Sequence, residues 1–252
     1  MNTKPFLSVV LIAMMAGCAS QPTPPSAPAP DTPVPLTFTP MPPTAPPTPE
    51  PSATATAVPS PTKIVPGAVL FEEDFEDGTA DNFVYIVEGW KVITEDNGNR
   101  AFEINRNTEE AIKSNEGAGV GFGLEEWTNF SAEYRVRMLN AKGNSWLSFR
   151  NTARMYYVEW LSAEWDSVNL FFSEPQDDWM PIKSLELPVW DESWYRVKVE
   201  AQGPWLRVYL DDALMLEVED PRITHGDFNL GVFPGTHALF DDIRVIALGD
   251  SP

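Results

Sequence analysis

The sequence predicts an all-β, two-sheet antiparallel sandwich over residues 67–252, and three observations carry that reading. Apolar and polar side chains alternate with period two through nearly every segment, which sets one face of each against a core. Turn-forming residues punctuate the segments at hairpin spacing. No stretch keeps a helical pattern for three turns. About a dozen short strands at this spacing fit a sandwich better than a parallel sheet with crossover helices.

In chain order, residues 130–138 place Tyr134, Val136 and Met138 on one face, and Glu133, Arg135 and Arg137 on the other. In 145–150, Leu147 and Phe149 make an apolar face, which turns Trp146, Ser148 and Arg150 outward. In 156–161, Tyr156, Val158 and Trp160 suit the core, which turns Tyr157 and Glu159 to solvent; in 167–172 the same rule turns Asn169 and Phe171 outward. Residues 194–200, 205–210, 213–218, 228–232 and 240–246 alternate likewise, and are rich in the β-branched and aromatic side chains that strands favour. The separators are Asn97-Gly98, Lys142-Gly143-Asn144, Gln202-Gly203-Pro204, Asp211-Asp212 and Pro234-Gly235.

The first quarter of the 252-residue chain has a different character. Residues 1–17 have the tripartite form of a secretory signal: Lys4, an apolar run from Phe6 to Met15, then Ala16-Gly17. The run is too short to cross a bilayer core, which needs about twenty residues. Cys18, the only cysteine, follows directly. Met15-Ala16-Gly17-Cys18 resembles the lipobox of bacterial lipoproteins, with Met15 where that pattern prefers Leu. The resemblance implies acylation at Cys18, which becomes the mature N-terminus, and a protein exported and lipid-anchored to the cell envelope. More than one acyl chain is needed for stable anchoring. Residues 19–66 hold 17 of the 25 prolines and 13 serines or threonines, with only Asp31, Glu50 and Lys63 charged. Having almost nothing to bury, residues 18–66 are expected to form a disordered, extended stalk.

Residues 67–252 carry the whole formal charge of −20. That argues against nucleic acid, whose binding depends on clustered Lys and Arg. One cysteine excludes an intrachain disulfide framework and any zinc site built from two thiolates.

Leu70-Phe-Glu-Glu-Asp-Phe-Glu-Asp-Gly78 resembles the opening strand of concanavalin A-like jelly rolls. The run from Trp194 to Asp212 resembles the long hairpin of their laminin-G-like members, and the runs 226–232 and 239–245 resemble their closing strands. The resemblance implies a jelly-roll sandwich. It leaves function open, because that superfamily includes lectins, carbohydrate-binding modules, glycoside hydrolases and adhesion domains. It also implies a candidate structural Ca²⁺ site between first and last strands, with Asp74 and Asp241 supplying hard oxygen ligands.

Three uses of the fold remain. For an enzyme, Glu72, Asp74 and Glu76 match the Glu-x-Asp-x-Glu spacing of family-16-type β-glucanases, in which a strand lines up carboxylates on one face. Here, however, Glu73 stands where the family has an apolar residue, and the motif opens the fold instead of lying mid-domain. For glycan binding without cleavage, all nine tryptophans lie in the head. Aromatic rings stack on sugar C–H faces, while polar side chains orient the hydroxyls. If the strands are neighbours, Arg137, Trp146, Arg150, Tyr157, Glu159 and Asn169 share one outer face, with Trp165 and Trp179 rimming it. The same face also reads as a plain solvated surface of Arg–Glu pairs. A protein adhesion or scaffold domain without a sugar site is the third use, and oligomeric state is not legible. The reading adopted is a surface lipoprotein whose head binds glycan without cleaving it.

Overall fold

The computed structural model describes residues 65–174 and 179–250; the expected signal segment, Cys18 and nearly all of the proline-rich stretch lie outside them, as do Asp177 and Asp178. Fifteen strands and one short helix occur in the described residues. They are β1 (Val69–Glu73), β2 (Tyr85–Ile86), β3 (Trp90–Thr94), β4 (Arg100–Asn105), α1 (Glu109–Ser114), β5 (Ala118–Phe122) and β6 (Phe130–Met138). After them come β7 (Asn144–Asn151), β8 (Tyr156–Ser162), β9 (Ser167–Ser173), β10 (Trp179–Glu186), β11 (Trp194–Gln202), β12 (Trp205–Leu210), β13 (Ala213–Glu219), β14 (Asp227–Val232) and β15 (His237–Ala247).

Two antiparallel sheets form the sandwich. The larger has eight strands in the order β13-β12-β11-β6-β15-β4-β3, with β1 added beside β15. The smaller has seven, in the order β10-β9-β8-β7-β14-β5-β2. First and last strands are therefore neighbours, as the jelly-roll resemblance implies. The long strand β15 serves two partners on one edge: His237–Phe240 pair with β4, and Ile243–Ile246 pair with β1. Between them the ladder with β6 shifts register, and Asp242 takes a left-handed backbone at φ 47. That irregularity bends the strand and lets it hand over from one neighbour to the other.

Alternation along β6 is complete: Phe130, Ala132, Tyr134, Val136 and Met138 are buried while the residues between them are partly exposed. Facing them across the interior are Leu147 and Phe149 from β7, Leu170 and Phe172 from β9, and Phe228 and Leu230 from β14. Ring pairs tie the two inner faces together, with Phe130 standing edge-on to Phe228 at 4.6 Å between centroids. Turn chemistry sets the hairpins. Asp211 and Asp212 both lie at positive φ (48 and 67), the type I′ geometry that matches the twist of β12 and β13. The helix α1 is six residues long, capped by the Thr108 hydroxyl on Ala111 N–H and stopped by Asn115 at φ 55.

Candidate functional site

Outward positions of the smaller sheet have an unusual distribution of size. In its middle strands the side chains are small: Gly119 and Gly121 on β5, Asn229 and Gly231 on β14, Ser148 on β7. Aromatic rings stand to either side. The Trp146 indole lies over Gly231, where a Cβ would come within 2.3 Å of its Cζ2 and 2.4 Å of the Ala118 carbonyl oxygen. At the other side the Tyr85 ring covers Gly121, and its hydroxyl donates to Asn229 Oδ1. Glycine is required at both places because a ring occupies the space that a side chain would fill.

Small centre and large flanks make a cleft of about 670 Å³. Trp146, Tyr156, Trp179, Phe233, Val87 and Val158 give it apolar surface, and Asn115, Ser148, Asn151, Thr152 and Asn229 give it amide and hydroxyl groups. None of its lining residues is charged. Behind the rim the rings are continuous. Phe233 lies 5.5 Å from Trp179 and 4.9 Å from Trp160, and Trp160 lies 4.8 Å from Trp165 and 5.5 Å from Phe171. Trp160 is fixed by its indole N–H, which donates to Asn144 Oδ1 at 3.1 Å.

The outer face expected from alternation is only partly the face observed. Trp146 and Phe171 lie on it, Trp179 lines the cleft, and Trp165 packs beside Trp160. Asn169 pairs with Trp160 across the ladder, but its amide is engaged locally, donating to Ser167 Oγ and the Trp160 carbonyl.

Four positions are corrected. Tyr157 and Glu159 are fully buried between the sheets. The phase of β8 is one residue away from the expected one: Tyr157 sits opposite Phe149, Glu159 opposite Leu147, and Trp160 opposite Trp146. A one-residue change of phase exchanges every side chain between core and surface. Each polar tip has a partner for one of its atoms, and Glu159 Oε1 is left without one. Tyr157 donates to Asp220 Oδ1 at 2.8 Å, and Glu159 Oε2 accepts from Tyr134 at 2.8 Å. Burial and that carboxylate push the Tyr157 hydroxyl up in pKa, and burial pushes the Glu159 carboxyl up to about 8.

Arg150 is turned inward by a left-handed backbone (φ 50) at a register shift in the β7–β14 ladder. Its guanidinium donates to the carbonyls of Ile223 (2.8 Å), Thr128 (3.0 Å) and Gly203 (3.0 Å). Desolvation there lowers its pKa to about 10. Arg137 belongs to the other sheet altogether. It pairs with Glu95 and lies 5.2 Å from the Trp194 ring centre on the larger sheet's outer face.

The opening carboxylates do not form a catalytic row. Strand β1 ends at Glu73, and Phe75 turns to φ 59, so the alternation that would align Glu72 with Asp74 and Glu76 stops before it reaches the latter two. Glu72 pairs with Arg244, Glu73 is buried and accepts from Phe75 N–H and Asn82, and Glu76 accepts from Arg100 N–H. Asp74 and Asp241, the carboxylates expected to hold Ca²⁺, stand in different surroundings. Asp74 is exposed and caps Glu76 N–H, whereas Asp241 is buried, accepting from Asn99 at 3.0 Å and from Asp242 N–H. Among the described residues no group of three or more His, Cys, Asp and Glu is placed to hold a metal ion.

Tyr85, Tyr156, Trp160, Phe233 and the cleft's asparagines were not expected at the site. Hydrophobicity in β8 points the other way, since the phase that faces the core, Tyr157, Glu159 and Leu161, contains a carboxylate and the outward phase, Tyr156, Val158 and Trp160, contains none.

No family model matches the chain. A levanase from Bacillus subtilis (strain 168) is 28% identical over 116 residues, which cover 45% of this chain and 17% of the levanase's length. Among solved structures, the carbohydrate-binding module CBM66 from Bacillus subtilis superposes with a TM-score of 0.52 at 22% identity, covering 65% of this chain and 94% of the module. A Bacillus subtilis protein of unknown function with a galectin-like fold superposes with a TM-score of 0.53 at 12% identity, covering 75% of this chain and all of that one. The carbohydrate recognition domain of Emp47p gives 0.52 at 12% identity, covering 71% and 95%. These likenesses establish the fold as a concanavalin A-like, galectin-like sandwich.

Proposed function

We propose that the head is a carbohydrate-binding domain that holds neutral glycan in the aromatic cleft of the smaller sheet and does not cleave it. The carrying observation is the lining itself. Flat rings that stack on sugar C–H faces surround a floor of amides and hydroxyls, and no lining residue is charged. Glycoside hydrolysis of the usual kind needs two carboxyl groups facing one bond, and this cleft presents none. Superposition on the CBM66 module and on a carbohydrate recognition domain supports the reading, and the levanase likeness makes the fructan levan the first ligand to try.

The same reading places the head on a lipid anchor at Cys18, exported to the cell envelope, with residues 19–66 as its spacer. Its support is the lipobox-like Met15-Ala16-Gly17-Cys18 and the composition that follows.

Affinity electrophoresis of the full chain against levan, a soluble β-glucan and arabinan tests the glycan half. Binding to at least one polymer, lost in Trp146→Ala with the strand content intact, is expected. A blank panel, or a Trp146→Ala variant that binds like the parent, would sink it. Radiolabelled palmitate incorporated into the parent but absent from Cys18→Ser tests the anchor, and equal labelling would refute it.

A further inference from the structure

The aromatic wall continues past the cleft. Trp165, on the turn between β8 and β9, packs edge-on against Trp160 and is still 57% exposed. Trp190, between β10 and β11, is 68% exposed. Two indoles this open on adjoining loops offer apolar surface that a ligand can cover.

Both turns are pinned. Trp165 N–H donates to Ser162 Oγ at 3.1 Å, and Trp190 N–H donates to Tyr195 Oη at 2.7 Å. Asp166 joins the two loops from a left-handed backbone at φ 47. Its carbonyl accepts from Leu187 N–H at 2.9 Å and its Oδ1 accepts from Val189 N–H at 3.1 Å. An exposed ring on a fixed backbone loses little freedom when a ligand lies on it, which is the condition for a pre-organised platform.

The surroundings say what would lie there. Glu164, Asp166, Asp191 and Glu192 are all exposed beside the two indoles. Carboxylates at this density repel anionic polymers and anionic headgroups, and they accept hydrogen bonds from hydroxyls. The chemistry therefore suits an uncharged, polyhydroxylated chain.

We propose that Trp165 and Trp190, held in place by Asp166, form an outer platform for the part of a glycan that emerges from the cleft, so that the head prefers long chains to short oligosaccharides. This rests on the cleft being the glycan site.

The test titrates the full chain with levan, a soluble β-glucan and arabinan, and with the short oligosaccharides of each. The Trp165→Ala/Trp190→Ala double variant is expected to lose roughly tenfold or more in affinity for the polymer and to keep its affinity for the short chains. Trp146→Ala is expected to lose both. A double variant that binds polymer like the parent, while Trp146→Ala fails, overturns the platform and leaves the cleft standing. So does an equal loss for short and long chains, which would make Trp165 part of the cleft. A parent that binds no glycan removes the cleft and the platform together. Binding to phosphatidylglycerol vesicles that the double variant loses would assign the two indoles to a membrane instead.

Discussion

Tyr134 donates a 2.8 Å hydrogen bond to Glu159 through the interior of the sandwich, linking β6 of one sheet to β8 of the other. Both side chains are buried, at 1% and 0% exposure. Desolvation pushes the Glu159 carboxyl up to about 8 and the Tyr134 hydroxyl well above its ordinary range. At neutral pH the sheets are therefore joined by a neutral carboxyl, because an ionised one would have to be stabilised away from water.

Stability follows from that proton. The folded chain keeps it up to about pH 8, whereas the unfolded chain releases it near the ordinary carboxylate value of 4.5. The contribution of Glu159 is fully present below 4.5 and declines by about 1.4 kcal/mol per pH unit until pH reaches about 8. Glu159→Gln keeps an acceptor for Tyr134 but has no proton to lose. Urea unfolding at pH 6 and pH 8 should show the variant gaining about 2–3 kcal/mol on the parent between the two. A constant difference would mean that Glu159 is ionised in the fold.

Arg150 is a structural cation. Replacing it with Met removes the donor to three backbone carbonyls, that of Ile223 buried and those of Thr128 and Gly203 part-buried, at a cost on the order of 3 kcal/mol. Lys should not restore the loss, since one ammonium cannot reproduce the planar fork of donors. Chemical denaturation midpoints decide it: a Met variant as stable as the parent would show that the guanidinium holds nothing.

Gly231 sets the position of Trp146. An added methyl in Gly231→Ala meets the Trp146 ring at 2.3 Å and the Ala118 carbonyl at 2.4 Å, so the ring must lift and the strands must part. A loss of about 1–3 kcal/mol is expected, with increased quenching of indole fluorescence by acrylamide and weaker polysaccharide binding. Unchanged quenching and affinity would show that the ring does not rest on the glycine.

Much of this fold was legible in the sequence, because β6, β11 and β12 each have one face that is clearly apolar and one that is clearly polar. The site was less so. Strand β8 is apolar on both faces, its polar exception Glu159 points inward, and alternation gives the period of a strand without its phase. The inward turn of Arg150 depends on one left-handed residue that no pattern of hydrophobicity announces. A shared face for Arg137 and Trp146 requires consecutive strands to be neighbours. In fact β6 lies in one sheet and β7 in the other. Phe233 reaches the cleft from beyond a strand end, and Tyr85 bonds the cleft residue Asn229 from a two-residue edge strand, where periodicity has no hold.

Fluorine NMR of the full chain labelled with 5-fluorotryptophan, titrated with a polymer that it binds, tests the placement of the site most directly. Resonances of Trp146, Trp160 and Trp179 should move on saturation, while those of Trp194 and Trp205 on the larger sheet stay where they are. Shifts confined to Trp194 and Trp205 would contradict the account and put the glycan on the opposite face.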